Sequence, residues 1–500
     1  MSQTNRLSNG GMIDRKKPVS FHFNGKQYQG YEGDTLASAL IANGVSVTAR
    51  SFKYHRPRGI VGLGVEEPAS LVELEGEFAS GNNPITTVQI QGGLRANSVN
   101  CWPSVDYDFG GINQLFTKFI PAGFYYKTFK WPNWHLFERS IRRAAGLAGA
   151  PANPPSQGRF EARNAHTDVL IAGAGAAGLM AALTAGRAGA RVILVDESTK
   201  AGGSLLNRTL EIDGLPATEW VSKVVAELDA MDNVTHIQNA TVWAYREHNM
   251  IIVNERSPDQ DGVLERSWRI RAGHVICATG AIERALVFAN NDRPGVMMTS
   301  AIQAYVNRYA VRPGKRAVLF TNNNSSYAVA ADMAKAGIEI AAIVDSRASV
   351  PAEALALVKG IKVLEGTVVT NVKGHKRVKS VTVEPKNGGT SQSISCDLLG
   401  QSGGWNPAVH LFSQSRGTLK YNKEISTFEP DTPVEATLSA GAAAGVMTLQ
   451  SALKTGSMAG VEAAQNSGFA AVSGDIPDCN DLAYAIEPLW RVENASSKGK

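Results

Sequence analysis

The alternation of apolar runs with glycine-rich breaks is clearest between residues 168 and 197. A short apolar strand, 168–172, leads into a glycine-rich loop, and an alanine-rich helix then runs to about residue 188. A second apolar strand, 191–195, ends on two acids, Asp196 and Glu197. Apolar strands of this length on either side of a helix predict a βαβ unit in a parallel sheet.

The loop of this unit carries the spacing of a dinucleotide-binding fingerprint. Gly173 permits the tight turn, Gly175 lets the backbone approach a pyrophosphate, and Gly178 lets the helix pack closely on the strand. The helix start offers unpaired N–H groups to the phosphates. Asp196 lies 23 residues beyond Gly173, where an acid accepts hydrogen bonds from a ribose. We predict a nucleotide site, the alternative being a glycine-rich turn that only packs.

A second unit with the same order of strand, loop, helix and strand is predicted at residues 315–345. Its loop has Asn322, Asn323 and Asn324 where glycines are expected. Asparagine tolerates positive φ better than other non-glycine residues, but its side chain keeps a phosphate farther from the backbone. We predict a second Rossmann-like domain whose site is weakened or empty, with a working second site as the alternative.

Residues 19–100 predict a compact, β-rich module. Alternating strand residues at 19–23 lead to an Asn-Gly turn, a capped short helix follows at 34–40, and a glycine-rich loop spans Pro57–Ala69. This order resembles the plant-type ferredoxin fold, which has the spacing C-x4-C-x2-C in this loop and a fourth cysteine downstream.

The ligand positions of that spacing hold no cysteine in this chain. They are Val61, Glu66 and Ala69, with Asn97 as the fourth. Because these side chains cannot hold a thiolate-ligated cluster, we predict a ferredoxin-like shell without iron.

Aromatic residues are concentrated between Gly111 and Phe137, a stretch that holds nine Phe, Tyr and Trp residues. So many large rings are hard to bury in a linker alone. Either the stretch is a connector packed on its own chain, or it forms a partner surface, since aromatic and Arg residues favour interface cores. Pro151–Gln157 is typical of a linker.

Three further stretches surround the predicted nucleotide site. A glycine pair followed by Ser204 is typical of a turn that folds over the pyrophosphate, and Val242 lies where a strand edge passes the adenine. Residues 438–464 predict a closing strand, turn and helix. FAD enzymes of this architecture have an aspartate in that turn, which binds the ribityl chain, whereas this chain has Ala442. The missing carboxylate favours NAD over FAD in the first site.

The composition of the chain mainly excludes classes of function. The chain has 500 residues, 43% hydrophobic and 19% charged, an ordinary globular composition with room for several domains. A net charge of +5 without a Lys/Arg run does not favour a nucleic-acid partner. The four cysteines are far apart, so no zinc site, redox pair or disulfide framework is expected and a reduced cytoplasmic setting is the default. Without a signal-peptide segment or an apolar run near ~18 residues, no membrane association is expected.

These patterns predict an α/β fold with the two-dinucleotide-binding-domain (Rossmann-like) architecture of flavoproteins, preceded by a ferredoxin-like β-grasp domain that lacks its iron–sulfur cysteines. The predicted parts are a flexible N-terminus at 1–15, the ferredoxin-like domain at 16–105, an aromatic connector and linker at 106–165, an NAD-binding Rossmann-like domain at 166–285 and 395–470, a second Rossmann-like domain at 286–394, and a C-terminal extension at 471–500.

Several stretches together resemble the α subunit of heterotetrameric sarcosine oxidase. They are PRGIVGLGVEEPA, AGFYYKTFKWP, AGAGAAGLMAA, TNNNSSYAVAAD and AGAAAG with KTGSMAG. In that family the α chain is about twice this length, and its second half resembles an aminomethyltransferase and binds tetrahydrofolate. This sequence stops near where that half begins. We therefore expect the N-terminal part of a longer chain or a split-gene version, with folate binding only where the second half is present.

The resemblance implies a division of labour among α, β, γ and δ subunits. The family's complex converts sarcosine, oxygen and water into glycine, formaldehyde and hydrogen peroxide, and with tetrahydrofolate the one-carbon unit becomes 5,10-methylene-tetrahydrofolate. Sarcosine is oxidised at an FAD on the β subunit. Electrons pass to an FMN at the α/β interface, where oxygen is reduced, and the α chain carries NAD. The chain is thus expected to be a subunit of a flavin-dependent amine oxidoreductase.

The resemblance also assigns residues to the NAD site. The matching positions are Gly173, Gly175, Ala177, Gly178, Asp196, Glu197, Ser198, Ser204, Val242, Ala442, Met447 and Leu449. The last three belong to the closing turn and helix.

No catalytic residue and no metal site is visible in the sequence. Structural or solvated roles are expected for four histidines without an acid at a readable spacing, namely His22, His55, His135 and His166. Three basic residues either face a flavin phosphate or form a solvated loop, namely Lys53, Arg56 and Arg58.

Three other interpretations stay open. The α subunit of a related amino-acid or opine dehydrogenase complex usually keeps cysteines for iron–sulfur centres, which this chain lacks. A self-contained FAD-dependent NAD(P)H oxidoreductase needs a working second site and a closing aspartate. A non-enzymatic scaffold uses its nucleotide only to stabilise the fold.

Overall fold

The computed structural model describes residues 3–76, 79–116, 129–144, 159–256 and 262–493. In these ranges the chain forms a small β-rich domain followed by two α/β domains, the second of which is inserted into the first. None of the helices in the described ranges is long and apolar enough to cross a membrane.

The N-terminal domain is a five-stranded sheet covered by one helix. Its elements are β1 (Asp14–Phe23), β2 (Lys26–Glu32), α1 (Leu36–Ala42), β3 (Ala49–Arg50), β4 (Pro57–Arg58), β5 (Leu71–Glu75), β6 (Ser80–Pro84) and β7 (Arg95–Ser98). The strand order is β2-β1-β7-β5-β6, with β1 and β7 parallel. Helix α1 begins at a capping box of Thr35 and Ser38, and all its residues are buried. The predicted ferredoxin-like fold is confirmed.

A buried carboxylate organises the loop between β4 and β5. Glu67 is 5% exposed, and its two oxygens accept hydrogen bonds from the N–H groups of Val61, Gly62 and Ala69, each at 2.8 Å. Burial raises the pKa of Glu67, and these N–H groups oppose that rise. All three partners are N–H donors, and a carboxylate can accept hydrogen bonds on both of its oxygens. The side chain therefore anchors the loop that carries the cluster ligands in a ferredoxin.

The first α/β domain has a parallel sheet with an antiparallel extension. The elements from the connector onward are α2 (Trp134–Ala144), β8 (Arg159–Ala172), α3 (Ala176–Arg187), β9 (Val192–Val195), β10 (Glu211–Ile212), β11 (Leu215–Pro216), α4 (Ala217–Asp229), β12 (Val234–Ile237), β13 (Ala240–Arg246), β14 (Met250–Arg256) and β15 (Val263–Cys277). The strand order is β12-β9-β8-β15-β14-β13. Strand β8 begins well before the predicted strand, because its polar first half pairs along β15.

The second α/β domain repeats the parallel arrangement. A short strand, β16 (Ala281–Glu283), leads into this domain, whose elements are β17 (Val296–Met298), α5 (Thr299–Asn307), β18 (Arg316–Thr321), α6 (Ser325–Lys335), β19 (Glu339–Asp345), α7 (Ala352–Leu357), β20 (Val363–Leu364), β21 (Thr367–Gly374), β22 (Val378–Pro385), β23 (Gln392–Ser395) and β24 (Leu398–Ser402). The parallel order is β17-β24-β18-β19-β20, and β21 to β23 form a separate antiparallel sheet.

The chain returns to the first domain later than the sequence predicts. The boundary predicted at residue 395 assigns β24 to the first domain, but β24 lies between β17 and β18. All its residues are buried, and such a run suits either sheet, so the pattern alone does not assign it. The returning elements are β25 (Trp405–Pro407), α8 (His410–Gln414), β26 (Leu419–Asn422), β27 (Thr427–Pro430), β28 (Thr437–Ser439), which pairs with β15, and α9 (Leu449–Asn466).

The N-terminal domain packs on the second α/β domain. Residues of both, such as Phe21 and Tyr305, belong to one apolar cluster. At its border Arg56 and Arg58 both form ion pairs with Asp292, the first at 2.6 Å. These two guanidinium groups therefore join the N-terminal domain to the second α/β domain at Asp292.

The aromatic connector lies partly outside the described residues, which exclude 117–128 and 145–158 and with them the predicted linker. In the described part, Phe116, Trp131 and Trp134 are 49%, 84% and 39% exposed. These three rings are therefore not packed into the core of the chain.

We expect Glu67→Gln to lower the free energy of unfolding by about 3 kcal/mol, because the amide nitrogen becomes a donor among N–H donors. Urea denaturation followed by circular dichroism measures this change. Glu66→Gln, which alters the adjacent exposed carboxylate, is the control and should stay within about 0.5 kcal/mol of the unchanged chain. Equal stability of the two variants would contradict the role given to Glu67.

Candidate functional site

The loop between β8 and α3 needs glycine at two positions for internal reasons. Gly173 has a φ of +106°, and a Cβ there would overlap the carbonyl oxygen of Ala278. A Cβ at Gly178 would overlap the carbonyl oxygen of Gly173. Helix α3 therefore starts in direct backbone contact with the loop that precedes it.

Gly175 has no such internal reason to be glycine. Its φ of −76° suits any residue, and no atom of the described chain lies within 4 Å of the position that a Cβ would take. Gly175 is the N-cap of α3 and provides no capping side chain. A glycine that faces open space beside uncapped helix-start N–H groups fits an approaching pyrophosphate. The loop thus fits the dinucleotide that the sequence predicts.

The two acids after β9 have different surroundings. Asp196 is buried; its Oδ2 accepts the Ala174 N–H at 2.6 Å and its Oδ1 accepts the Ser198 N–H at 2.8 Å. The carboxylate therefore ties the glycine loop to the end of β9. Glu197 is exposed. Its pKa is raised, mainly by desolvation and to a smaller extent by repulsion from Asp196 and from Glu66. Of the acids assigned to the ribose end, Glu197 is the one with an open carboxylate.

The turn after β9 brings Ser204 to the glycine loop. Gly202 donates its N–H to the Ala174 carbonyl at 2.8 Å, and a Cβ at Gly203 would lie 3.0 Å from the Cα of Gly175. Ser204 follows in a short 3-10 helix and is exposed. The two glycines thus let this turn approach Gly175 closely.

Val242 lies on β13, next to the acidic end of the site. The Asp196 carbonyl accepts the N–H of Ala240, the first residue of β13, at 2.8 Å, and the Ser198 carbonyl accepts that of Asn239 at 2.9 Å. Val242 follows on the same strand and is half-buried. This pairing joins the strand of Val242 to the end of β9.

The closing turn packs on the first turn of α3. A Cβ at Gly441 would lie 2.8 Å from that of Ala177, and the Gly441 N–H donates to Thr455 Oγ1 at 3.1 Å. Ala442 and Met447 are half-buried on this turn. The structure therefore brings the two sequence-distant parts of the predicted site together.

Leu449, the first residue of α9, is buried in the same apolar core as Ala177. Its N–H donates to Asp481 Oδ2 at 2.5 Å. A dinucleotide contact at Leu449 or Ala177 would thus involve the backbone more than the side chain. Asp481 caps α9 from 32 residues away, and no local sequence signal marks it.

The N-terminal domain also reaches this site, which no sequence pattern indicates. Gln89 Nε2 donates to Thr199 Oγ1, just beyond the two acids, at 3.1 Å. Glu66, at one of the lost cluster positions, lies close enough to Glu197 to raise its pKa. Both contacts depend on how the domains dock, so neighbouring residues carry no signal for them.

One histidine has an acid partner that the sequence spacing hides. His55 Nδ1 lies 2.7 Å from Asp108 Oδ2, and the 53 positions between them are too many for the sequence spacing to indicate this pair. Asp108 Oδ1 also accepts the N–H groups of Trp102 at 3.0 Å and Gly110 at 3.2 Å. The carboxylate organises its own loop, which agrees with a structural role for His55.

The cysteines are poor candidates for thiolate chemistry. Burial raises the pKa of Cys277 and of Cys396 to about 12, and that of Cys101 to about 11. Such thiols are protonated at neutral pH. Within the described ranges no group of three or more His, Cys, Asp or Glu residues could hold a metal ion.

Two family models match the chain. The model for a 2Fe-2S iron-sulfur cluster binding domain matches residues 16–101, and the pyridine nucleotide-disulphide oxidoreductase model matches residues 167–456. The first agrees with the N-terminal fold. Its metal does not fit the residues present, because the cluster positions carry no thiol and Glu67 accepts three N–H groups of the loop.

Curated relatives are similar over most of the chain. The alpha subunit of sarcosine oxidase from Rhizobium meliloti (strain 1021) is 43% identical over 90% of this chain and 46% of the relative. The protein of that name from Corynebacterium sp. (strain U-96) is 35% identical over 99% of this chain and 49% of its own length. An opine oxidase subunit from Rhizobium meliloti is 28% identical over 67% of this chain and 68% of the relative. The chain spans about half the length of these sarcosine oxidase relatives.

A solved structure supports the same architecture. L-proline dehydrogenase from P. horikoshii superposes with a TM-score of 0.66 over 95% of this chain and 77% of its own, at 18% identity, which shows the fold alone. The match of residues 167–456 covers more than half of the chain and both α/β domains. The chain therefore belongs to the pyridine nucleotide-disulphide oxidoreductase family.

Proposed function

We propose that this chain is an alpha-type subunit, or the N-terminal part of one, in a sarcosine oxidase complex, and that it binds NAD. The observation that carries the proposal is the 43% identity over 90% of the chain to the alpha subunit of a sarcosine oxidase. That span includes most of the N-terminal domain, so the likeness extends beyond the oxidoreductase domains alone.

The geometry of the first α/β domain supports NAD. Gly175 and the start of α3 would hold the pyrophosphate, the exposed Ser204 would be available to it, and Glu197 would accept hydrogen bonds from the adenosine ribose. Asp196 and Ser198 hold the loop that presents Glu197. The closing turn has no acid for the ribityl chain of FAD, since Ala442 stands at that position.

The proposed reaction requires partners. Sarcosine, oxygen and water give glycine, formaldehyde and hydrogen peroxide, with an FMN between α and β, and with an FAD on the β subunit. Gamma and delta subunits complete the complex, and tetrahydrofolate binds only where the second half of the long relatives is present. Exposed aromatic side chains near the connector support a partner surface, namely Trp102 at 65%, Tyr107 at 76%, Phe109 at 66% and Trp131 at 84%.

An opine oxidase subunit is the second candidate, because the chain covers 68% of the length of the opine oxidase relative. The lost cluster cysteines and the lower identity of 28% favour the first candidate. Oxygen uptake by the complete complex decides between them. We expect sarcosine to support uptake and opines to give only background, and the reverse preference would exclude the sarcosine assignment.

The chain purified alone should carry close to one NAD and no flavin. Heat or acid release followed by mass analysis identifies the nucleotide, and metal analysis of the same sample should find no iron. Stoichiometric FAD on the isolated chain would overturn the NAD assignment, and iron with sulfide would overturn the interpretation of the N-terminal domain.

Gly175→Val should abolish retention of the nucleotide, because the added side chain occupies the open space at the start of α3. The backbone at Gly175 accepts valine without strain, so the fold should persist. Gly92→Val is the matched control, since Gly92 also faces open space with φ outside the left-handed region. NAD content is measured in both purified variants. Unchanged content in Gly175→Val would show that the site lies elsewhere.

A further inference from the structure

The carboxyl-terminal edge of the second parallel sheet is where an α/β domain of this type binds its ligand. A working dinucleotide site needs free N–H groups at the start of α6, a loop that a phosphate can approach, and an open acid at the end of β19. Other parts of the same chain contact all three features. The main occupant is the segment of residues 483–489, here named the strap.

The strap pairs with the loop between β18 and α6 through its backbone. The N–H of Asn324, the N-cap of α6, donates to the Ala485 carbonyl at 3.1 Å, and the Glu487 N–H donates to the Asn322 carbonyl at 3.0 Å. Asn323 and Ile486 face each other in an antiparallel bridge. A peptide carbonyl thus accepts an N–H that would otherwise face a phosphate.

The asparagine side chains add bonds that glycine cannot make. Asn322 Nδ2 donates to the Glu487 carbonyl and Asn324 Nδ2 donates to the Ala483 carbonyl, both at 2.9 Å. Together with Asn323, these asparagines are at most 1% exposed. The loop has asparagines where the fingerprint has glycines, and their side chains are bonded to the strap.

The acid at the end of β19 is also engaged. Asp345 is 0% exposed, and its oxygens accept the Tyr327 hydroxyl at 2.8 Å and the Arg347 guanidinium at 2.7 Å. Arg347 Nη1 in turn donates to the Ala485 carbonyl at 3.3 Å. No ribose hydroxyl can reach this carboxylate without displacing the arginine.

Both ends of the strap are anchored. Before it, Asp481 caps α9 through the Leu449 N–H. After it, the Trp490 carbonyl accepts the Val287 N–H at 2.8 Å, and the Val492 N–H donates to the Val287 carbonyl at 2.9 Å. A tethered segment acts at an effective concentration of about millimolar or more, so it competes well against a free ligand.

We propose that the strap is a built-in occupant of the second dinucleotide-binding edge, so that this chain holds a single dinucleotide and takes no electrons from NADH or NADPH through its second domain. The first domain differs at each feature, because Gly175 faces open space and Glu197 is exposed. The proposal stands apart from the identity of the first nucleotide.

The first test counts nucleotides on the full chain. Equilibrium dialysis against NADH and against NADPH, up to millimolar concentration, should detect no binding beyond the nucleotide retained on purification. A saturable additional equivalent of either nucleotide would overturn the proposal. Loss of the retained nucleotide would count only against the site at Gly175, so the two failures are distinguishable.

The second test loosens the strap. Glu487→Pro removes the N–H that bonds Asn322, whereas Glu487→Ala keeps it and loses only the ion pair with Lys386, as the proline variant also does. Hydrogen exchange at the Asn324 N–H should rise at least about tenfold in the proline variant and stay unchanged in the alanine variant. Equal exchange in both variants would show that the strap does not protect this edge.

A chain ending at Leu482 provides an independent variant, with a chain ending at Glu493 as its control. The shorter chain keeps Asp481 and lacks the strap. We expect fast exchange at Asn324 only in the shorter chain, with unchanged exchange at Leu449. Continued protection of Asn324 without the strap would overturn the proposal, and the dialysis result on the unmodified chain stands whether or not this variant folds.

Discussion

The first α/β domain depends on one steric constraint, which is that residue 178 is a glycine and has no Cβ. Because no Cβ meets the carbonyl oxygen of Gly173, α3 begins at once after β8. Helix α9 then lies against α3 through a similar approach, since a Cβ at Gly460 would stand 2.6 Å from the Ala181 carbonyl oxygen. The closing turn reaches the fingerprint only because both helices approach this closely. A side chain at Gly178 would displace all these elements together.

The elements that the sequence predicts well are those whose signal is local. The βαβ unit at 168–197 carries its strands, glycines and acids within one short stretch, and the ferredoxin-like domain has its turn and capped helix in order. The domain to which strand β24 belongs could not be predicted in this way, because an apolar run buried on both faces fits either sheet. The pairing of His55 with Asp108 depends on chain folding over a long distance, so no spacing rule reveals it.

The candidate site shows the same limit at finer scale. Spacing identifies Asp196 and Glu197 as acids at the end of β9. It does not show which of the two carboxylates accepts hydrogen bonds from backbone N–H groups. That depends on the Ala174 and Ser198 N–H groups, which both point to Asp196. The asparagines of the second domain indicated a weak phosphate site, yet the segment that they bind lies about 160 residues further on in the chain. The two α/β domains thus differ at their helix starts, since Gly175 faces open space while the Asn324 N–H is bonded to the Ala485 carbonyl.

The Glu67 carboxylate also bears on how this domain can change over evolutionary time. Recovery of an iron–sulfur cluster needs four thiolates, where the chain now has Val61, Glu66, Ala69 and Asn97. In the present chain Glu67 accepts three N–H groups of the same loop. A single cysteine gains no metal, and loss of Glu67 alone unsettles the loop. No single substitution therefore produces a cluster site, because four thiolates would have to be gained together in a loop that Glu67 holds through three N–H groups.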